Sequence, residues 1–285
     1  MRRLLLLLCL LFLALSANAQ KRDSLLVVNA RWTIDSLDGM VLKRMHFTHK
    51  ECIGSNQFIA ILEIPSESPR RLAFSYEPHR TPTSEQARKH KACAAVNGSF
   101  FDMSLHNPIC YLRINGEEIG ENTPQKSDSI HRKYYQYGLI RLQNGRPEFI
   151  VPDSARMWEQ SLKGEDVMTA GPMLLLDGRR VPQRTDKTFV SDRHNRTAIG
   201  VRSDGTMLLV VVDGRTKESE GLSLPDFSCL LRFLGCCDAL NLDGGGSTTM
   251  FVEGLTYNGV VNHPSDNGRY DFKGERGVSN CIIVY

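Results

Sequence analysis

The ten residues from Asn241 to Met250, NLDGGGSTTM, combine one aspartate, three consecutive glycines and a run of hydroxyl side chains. Consecutive glycines lose conformational entropy on folding and bury no side chain, so they indicate a sharp turn or a close approach to a ligand. Their amides can form a concavity that binds an anion, and the hydroxyls add donors. A loop that binds a nucleoside triphosphate has a lysine immediately before its serine or threonine, and Gly246 occupies that position before Ser247. Such a loop is therefore excluded. A structural turn and an anion or sugar site remain as alternatives.

Polar residues follow other apolar runs in the same way, in the segments NGSFFD, DRHNRTAIG, VVVDGR and GERGVSN. Each has a structural interpretation when taken alone, such as a turn at a strand end, a solvated ion pair or a cap. Together they suggest one site. The candidate residues are Asn97, Asp102, His194, Arg196, Asp213, Asp243, Gly244, Gly245, Gly246, Ser247, Thr248, Glu275, Arg276 and Asn280.

Strands are the main elements that must position these residues. Runs rich in β-branched and aromatic residues, LLVVNARWTI, QFIAILEI and RLAFSYE, predict strands between residues 25 and 76. Turn dipeptides between apolar runs predict hairpins at 115–116, 144–145 and 204–205. A buried strand in ACAAVNG should deliver Asn97 to a loop, and VSNCIIVY should be a core strand.

Two helices are predicted. One lies in TPTSEQARKHKA, and the other follows Ser223, a suitable N-cap with Pro225 and Asp226 in the first turn. The second helix leads through a short buried strand directly into the glycine segment. Strands outnumber helices without regular alternation, which argues against a doubly wound or barrel α/β fold. We therefore expect an α+β fold, with a mixed β-sheet core flanked by a few helices. Residues 92–285 should form one globular domain, and 20–91 a β-rich N-terminal elaboration.

The first 20 residues, MRRLLLLLCLLFLALSANAQ, have the pattern of a secretory signal peptide that is cleaved after residue 19. The apolar run is shorter than the roughly 20 residues that span a bilayer, and no later run is longer. The sequence thus predicts an exported protein, periplasmic or extracellular, without a transmembrane segment. Loss of Arg2 and Arg3 reduces the net charge from +3 to +1, so no nucleic-acid partner is expected. The seven remaining cysteines fit no zinc pattern and predict no particular disulfide.

Six segments in this order, NGSFFD, AGPMLLLDG, RTAIG, NLDGGGSTTM, NHPSDNG and ERGVSN, resemble the phosphodiester glycosidase family. The resemblance extends from Ala92 to Tyr285, and residues 20–91 show no comparable match. It implies hydrolysis of a sugar that is joined through its anomeric carbon to a phosphodiester. The products would be a free sugar and a phosphomonoester.

This chemistry differs from that of most glycosidases, which use two carboxyl groups because their leaving group is a poor alkoxide. A phosphomonoester leaves more easily, since even its second ionisation lies at about pH 6. The site then needs charge neutralisation for phosphate and one carboxylate. Asp243 is the first candidate for that carboxylate, followed by Glu275 and Asp213. Arg196 and Arg276 are candidates for phosphate binding.

The other candidates have binding roles. Gly244, Gly245 and Gly246, with Ser247 and Thr248, would extend the anion pocket. Sugar hydroxyls or water would be oriented by polar side chains, and a histidine would protonate phosphate. Asn97 and Asn280 are the candidates for the first role and His194 for the second, and Asp102 is a further candidate for substrate binding.

Two other functions are compatible with the same residues. One is a metal-assisted phosphodiesterase that cleaves the P–O bond. The other is a protein that binds glycans or the cell envelope without catalysis. The sequence requires no cofactor, although a divalent cation such as calcium would suit its oxygen ligands, and no metal ligands are assigned.

Overall fold

Three antiparallel β-sheets form the framework of the protein in the computed structural model, which describes residues 20–123, 133–153, 157–183, 187–255 and 257–285. The predicted signal peptide, 1–19, lies outside the described residues. The largest sheet has eight strands in the spatial order β1 (Thr33–Leu37), β2 (Met40–Cys52), β3 (Ser55–Ile64), β14 (Met207–Val212), β13 (Arg196–Arg202), β15 (Cys236–Asn241), β11 (Met173–Leu176) and β12 (Arg179–Arg180).

Two smaller sheets and four helices complete the described fold. A five-stranded sheet has the order β7 (Glu117–Gly120), β6 (Leu112–Ile114), β10 (Asp166–Ala170), β8 (Gly138–Gln143) and β9 (Arg146–Ile150). A four-stranded sheet has the order β16 (Met250–Val252), β5 (Ala94–Asn97), β17 (Gly277–Val284) and β4 (Leu72–Pro82). The helices are α1 (20–28), α2 (Thr83–Lys89), α3 (Lys187–Ser191) and α4 (Leu224–Phe233).

The strand β14 shows how the core is arranged, because its six residues are all buried. Met207, Leu209 and Val211 face the main core, which is shared by all three sheets. The alternate residues face a second core, in which the eight-stranded sheet packs against α1, α3 and α4. Successive side chains of a strand point to opposite faces, so a strand that is covered on both sides becomes a continuous apolar run.

The predicted α+β class is confirmed in its coarse form, but the predicted mixed sheet is wrong. Every strand pairing in the three sheets is antiparallel. The order of the sequence does not specify strand direction here, because strands that are close in the chain often lie in different sheets.

The run LLVVN is helical, not extended, and the strand begins only at Thr33. The amide of Asn29 donates to the carbonyl of Leu25, four residues earlier, at 3.0 Å. Val27 is buried against the eight-stranded sheet, while its neighbour Val28 is exposed. Packing of one helical face therefore overrides the β-propensity of the valines.

The predicted hairpins at 115–116 and 144–145 are present, with positive φ at both turn residues. The helix α4 begins after Ser223, whose Oγ accepts a hydrogen bond from the amide of Asp226 at 3.2 Å. The segment 20–91 is built into the fold: β3 pairs with β14 over six residue pairs, and β4 pairs with β17.

Truncation of Leu209 tests the shared core. Leu209 is fully buried, so Leu209→Ala should lower the free energy of unfolding by about 2–5 kcal/mol, because it removes buried methyl groups and leaves a cavity. The same substitution at Leu105, which is 74% exposed, is the control and should change stability by less than about 0.5 kcal/mol. Chemical denaturation of both variants measures the difference, and equal losses would contradict this description of the core.

Candidate functional site

The candidate site lies where two sheets meet at their polar ends. In the register of the eight-stranded sheet, Arg196 at the start of β13 lies opposite Val212 at the end of β14. Ala198 lies opposite Asn241, the last residue of β15. The chain then passes through residues 243–248, the glycine loop, and enters β16 in the four-stranded sheet. The glycine loop thus connects the two sheets.

Asn97, at the end of β5, ties this junction together. Its Oδ1 accepts hydrogen bonds from Thr197 Oγ1 at 2.8 Å and from the amide of Thr249 at 3.2 Å. Its Nδ2 donates to the carbonyl of Asp243 at 2.6 Å, and the amide of Asp243 donates to the carbonyl of Gly98 at 3.0 Å. Asn97 is fully buried, so it holds the backbone of Asp243 instead of facing a substrate.

Each of the three glycines admits a group that a side chain would exclude. A Cβ at Gly244 would lie 2.6 Å from the carbonyl oxygen of Asn195, and at Gly245 it would lie 2.7 Å from Arg215 Nη2. A Cβ at Gly246 would overlap the guanidinium of Arg276. The segment is therefore glycine-rich because two guanidinium groups and one main-chain carbonyl pack directly on its backbone.

The two arginines differ in how they are held. Arg276 Nε donates to Asp266 Oδ1 at 2.8 Å, and Nη2 contacts the same oxygen. Arg215 is exposed and adopts a left-handed backbone conformation, with φ +65°. It has no hydrogen-bond or ion-pair partner among the residues that the structure describes. One cation is thus fixed and partly neutralised, and the other is available for an anion.

Asp243 is the carboxyl group that these cations flank. Its Oδ1 accepts a hydrogen bond from the amide of Gly244 at 2.8 Å. Burial raises the pKa of Asp243 to about 6, although Ser247, the Gly244 amide, Arg276 and Arg215 all act to lower it. The carboxyl group therefore changes its ionisation close to neutral pH, as is typical of groups at functional sites.

Three buried polar atoms around the glycine loop have no hydrogen-bond partner within the described part of the chain: His194 Nδ1, Asn195 Nδ2 and Thr249 Oγ1. The hydroxyl of Ser247 interacts with the carboxyl group of Asp243 and lowers its pKa. Burial, with the charges of Arg196 and Arg215, lowers the pKa of His194, which keeps the ring neutral. Buried polar atoms without partners are costly, so a cluster of them indicates a bound ligand or water.

Asp213 supports the glycine loop from behind. Its Oδ1 accepts from Asn262 Nδ2 at 2.8 Å, and its Oδ2 accepts from the amide of His263 at 2.9 Å and lies 2.8 Å from His263 Nδ1. Asn262 also donates to the carbonyl of Thr248 and accepts from the amide of Met250. Burial raises the pKa of Asp213, and His263 opposes the rise. The oxygens of Asp213 are thus engaged in holding the loop.

The structure places Glu275 and Arg196 in structural roles. Glu275 accepts hydrogen bonds from the Ser84 amide at 3.0 Å and from Ser84 Oγ at 2.6 Å, so it caps the N-terminus of α2. Burial raises the pKa of Glu275. The guanidinium of Arg196 is buried and donates to the carbonyls of Leu222, Phe189 and Asp192. The polar atoms of both side chains are thus engaged by other parts of the protein, whereas the sequence suggested roles for them next to Asp243.

Three other candidates shape loops. Asp102 Oδ1 accepts from the amides of Ser104 and Leu105, and these bonds lower its pKa. Asn280 Oδ1 accepts from the amide of Ser99 at 2.7 Å and fixes the NGS segment. The Oγ1 of Thr248 lies 3.2 Å from that of Thr197, within the buried junction.

Sequence reasoning missed several residues of the site. Arg215 lies two residues after Asp213 in the segment VVVDGR, where the pattern indicates only the aspartate as a candidate. The motif NHPSDNG contributes Asn262, His263 and Asp266, and also a serine whose Oγ donates to Asn195. The position of these residues within a recognised motif was the available signal. Local sequence does not show these contacts, because Asn262 and His263 lie 49 and 50 residues from their partner Asp213 in the chain.

No three His, Cys, Asp or Glu side chains are grouped for a metal within the described ranges. None of the helices in those ranges is both long and apolar enough to cross a bilayer. The seven cysteines from Cys52 to Cys281 are free thiols.

The fold and the site define an α+β protein with an arginine-flanked carboxyl group at a loop between two sheets. The model of the phosphodiester glycosidase family matches residues 90–285, so the chain belongs to that family. This confirms the resemblance inferred from the six motifs, and the match begins close to the predicted boundary at residue 92.

Relatives support this assignment. The chain is 37% identical over 218 residues to N-acetylglucosamine-1-phosphodiester α-N-acetylglucosaminidase of Bos taurus, covering 72% of this chain and 39% of the relative. It is 41% identical over 91 residues to the SPbeta prophage-derived uncharacterized protein YomE of Bacillus subtilis (strain 168), covering 32% of this chain and 14% of the relative. The chain thus spans less than half the length of either relative.

A solved structure supports the fold. The zebrafish N-acetylglucosamine-1-phosphodiester α-N-acetylglucosaminidase catalytic domain, auto-inhibited by its pro-peptide, matches with a TM-score of 0.64 and 19% identity. The match covers 89% of this chain and 88% of that one. At this identity the similarity concerns the fold alone.

Replacement of Asp243 tests the electrostatics of the site through stability. Because its pKa is about 6 in the folded protein, above the ordinary aspartate value of 3.8, the native state binds the proton more tightly and is destabilised as pH rises through this range. Asp243→Asn should therefore raise the free energy of unfolding at pH 8 by about 1–3 kcal/mol.

The gain should shrink as pH falls from 6 to 4, where both side chains are neutral. Asp177→Asn, at an exposed turn, is the matched control and should show no such gain. Denaturant titrations at several pH values measure the difference. Equal stability of the wild type and Asp243→Asn at pH 8 would contradict the proposed burial of charge.

Proposed function

We propose that the protein is an exported hydrolase that cleaves the glycosidic C–O bond of a sugar-1-phosphodiester and releases a free sugar and a phosphomonoester. The observation that carries this proposal is that the guanidinium groups of Arg215 and Arg276 both pack on the glycine loop and act electrostatically on Asp243. Membership of the phosphodiester glycosidase family supports the same reaction class.

The two arginines neutralise the phosphate in this proposal. Arg215 has no acidic partner among the described residues, and Arg276 shares its charge with only Asp266. As the C1–O bond breaks, its electron pair passes to the phosphate oxygen. Guanidinium groups that are already in place can stabilise this charge without reorganisation. Arginine suits the task because its planar donors match the geometry of phosphate oxygens.

Asp243 stabilises the positive charge that develops at C1, and the oxygen of water forms the new bond to that carbon. The proton that water loses passes to an oxygen of the departing phosphate. Above pH 6 the carboxyl group is ionised, as this role requires. The unpartnered atoms of His194 and Asn195 supply hydrogen-bonding groups for substrate oxygens. They lie next to the glycine loop, where the sugar and the scissile phosphate would meet.

One carboxylate is enough for this reaction. The oxygens of Glu275 are engaged by Ser84, and those of Asp213 are engaged by Asn262 and His263. Most glycosidases need a second carboxyl group to protonate an alkoxide, but phosphate departs as a stable anion. A site with one carboxyl group and two arginines fits a phosphate leaving group better than an alcohol.

Isotope labelling distinguishes the proposed function from the alternatives. Hydrolysis of a sugar-1-phosphodiester in water enriched in oxygen-18 should place the label in the sugar, because water attacks C1, and mass spectrometry of both products measures it. Label in the phosphate would support P–O cleavage instead. The absence of turnover across a panel of sugars would support a binding protein.

With the same substrate, Asp243→Asn should lower kcat/KM by at least about 100-fold. The kcat/KM of the wild type should fall as pH decreases below about 6, when Asp243 becomes protonated. Retained activity in Asp243→Asn would remove this residue from the proposed mechanism. A flat profile between pH 4 and 8 would do the same.

A pair of glycine substitutions tests the contact between the glycine loop and Arg215. Gly245 and Gly254 both have left-handed backbones, so alanine at either position should cost roughly 1–2 kcal/mol of stability. A new Cβ at Gly245 would displace Arg215, whereas a Cβ at Gly254 would meet nothing within 4 Å.

Gly245→Ala should therefore lower kcat/KM by about 10- to 100-fold, while Gly254→Ala should change it by less than about twofold. Kinetics of both variants at a temperature well below their unfolding transitions provide the measurement. A similar loss in both variants would show that the backbone cost, and not the position of Arg215, determines activity.

Export is part of this proposal and depends on the sequence of residues 1–19. We propose a periplasmic or extracellular location, where the substrate would be a sugar-phosphate or phosphoglycan. Fractionation of cells that express the full chain would test it, with mass spectrometry of the mature N-terminus. Retention of residues 1–19 on a cytoplasmic product would contradict it.

A further inference from the structure

A cationic cavity of about 590 Å³ adjoins the glycine loop and shares Arg215 with it. The cavity is lined by residues of the β2–β3 hairpin and of the loop that follows β14. Its lining consists of Lys50, Asn56, Arg215, Thr216, Lys217 and Glu220. A cavity of this size is within the range of small-molecule sites in proteins.

The lining carries an excess of positive charge. Lys50, Arg215 and Lys217 are cationic, and Glu220 is the only acidic residue of the lining. Glu220 is already bound to Arg193 at 3.0 Å, and its contact with Lys50 is long, at 3.8 Å. Lys217, like Arg215, has no acidic partner within the residues that the structure describes. The cavity therefore attracts anions.

The cavity is also held in a defined shape. Asn56 Nδ2 donates to the carbonyl of Lys217 at 2.9 Å, and Asn56 Oδ1 accepts from the amide of Lys50 at 3.0 Å. Ser219 closes the loop by donating to the carbonyl of Asp213 at 2.8 Å. One asparagine thus joins the two segments that carry the lysines, so the separation of their backbones is fixed.

The position of Arg215 orients a substrate across this cavity. If Arg215 binds the scissile phosphate, as proposed above, the sugar lies on the side of Asp243. The alcohol arm of the phosphodiester leaves the phosphate on the other side, where the cavity begins. A group on that arm would meet Lys50 and Lys217.

We propose that the cavity is a second phosphate subsite, and that the substrate is a phosphodiester-linked chain with a further phosphate on the arm that leaves. This inference rests on the proposed function and specifies its substrate class. The cavity would bind the next phosphate of the chain through Lys50 and Lys217, while Arg215 spans the two phosphates. A single sugar-1-phosphodiester would use only the site at Asp243.

Two matched substrates test the subsite. One is a sugar-1-phosphodiester with a methyl arm, and the other carries a second phosphodiester on a longer arm. The variant with Lys50→Ala and Lys217→Ala should lose about tenfold in kcat/KM on the longer substrate, because it loses two charge contacts. It should lose less than about twofold on the methyl substrate.

Lys163→Ala is the control, because Lys163 is exposed in the loop before β10 and does not line the cavity. It should leave kcat/KM unchanged on both substrates. The preference of the wild type for the longer substrate should also weaken as salt is raised from 50 to 500 mM, because exposed charges are screened. Equal losses on the two substrates in the lysine variant would overturn the inference, although the proposed function would stand.

A binding measurement separates the subsite from catalysis. Inorganic tripolyphosphate should bind to Asp243→Asn, and the two lysine substitutions in that background should weaken binding by about tenfold in isothermal titration calorimetry. This readout needs no turnover, so it tests the subsite even if no sugar-1-phosphodiester is hydrolysed. Unchanged tripolyphosphate affinity after both substitutions would overturn the inference.

Discussion

The docking of two β-sheets through the carboxamide of Asn97 is the interaction on which the site depends. This buried side chain belongs to the four-stranded sheet and binds Thr197 of the eight-stranded one. It also holds the backbone of Asp243 and Thr249, on either side of the three glycines. A buried amide must satisfy its hydrogen bonds, so the sheets can meet in only a few arrangements. The geometry around Asp243 follows from that restriction.

The site achieves its electrostatics with charges from distant parts of the chain. Arg215 comes from the end of β14 and Arg276 from the start of β17, and each approaches a glycine of the loop. Burial and the cations act on Asp243 in opposite directions, and burial has the larger effect on its pKa. The carboxyl group is therefore neither a permanently ionised partner of arginine nor a permanently neutral acid. This balance suits a reaction in which charge develops on both sides of one bond.

Much of this organisation could be predicted from local sequence. The hairpin turns and the capped helix after Ser223 each depend on a few adjacent residues. The roles of Glu275 and Arg196 could not be predicted from local sequence. Glu275 caps α2 through Ser84, which lies 191 residues away, and Arg196 donates to main-chain carbonyls such as that of Leu222. Strand direction was missed for the same reason, since it is a property of pairings between distant segments.

The passage of the glycine loop from one sheet to the other has a mechanical consequence. Asp243 follows a strand of the eight-stranded sheet, whereas Arg276 precedes a strand of the four-stranded sheet. A small relative displacement of the sheets would separate the carboxyl group from this cation while both sheets kept their internal hydrogen bonds. Packed cores resist such sliding but rearrange in discrete steps. The protein should therefore lose its assembled site before it loses its secondary structure under mild destabilisation.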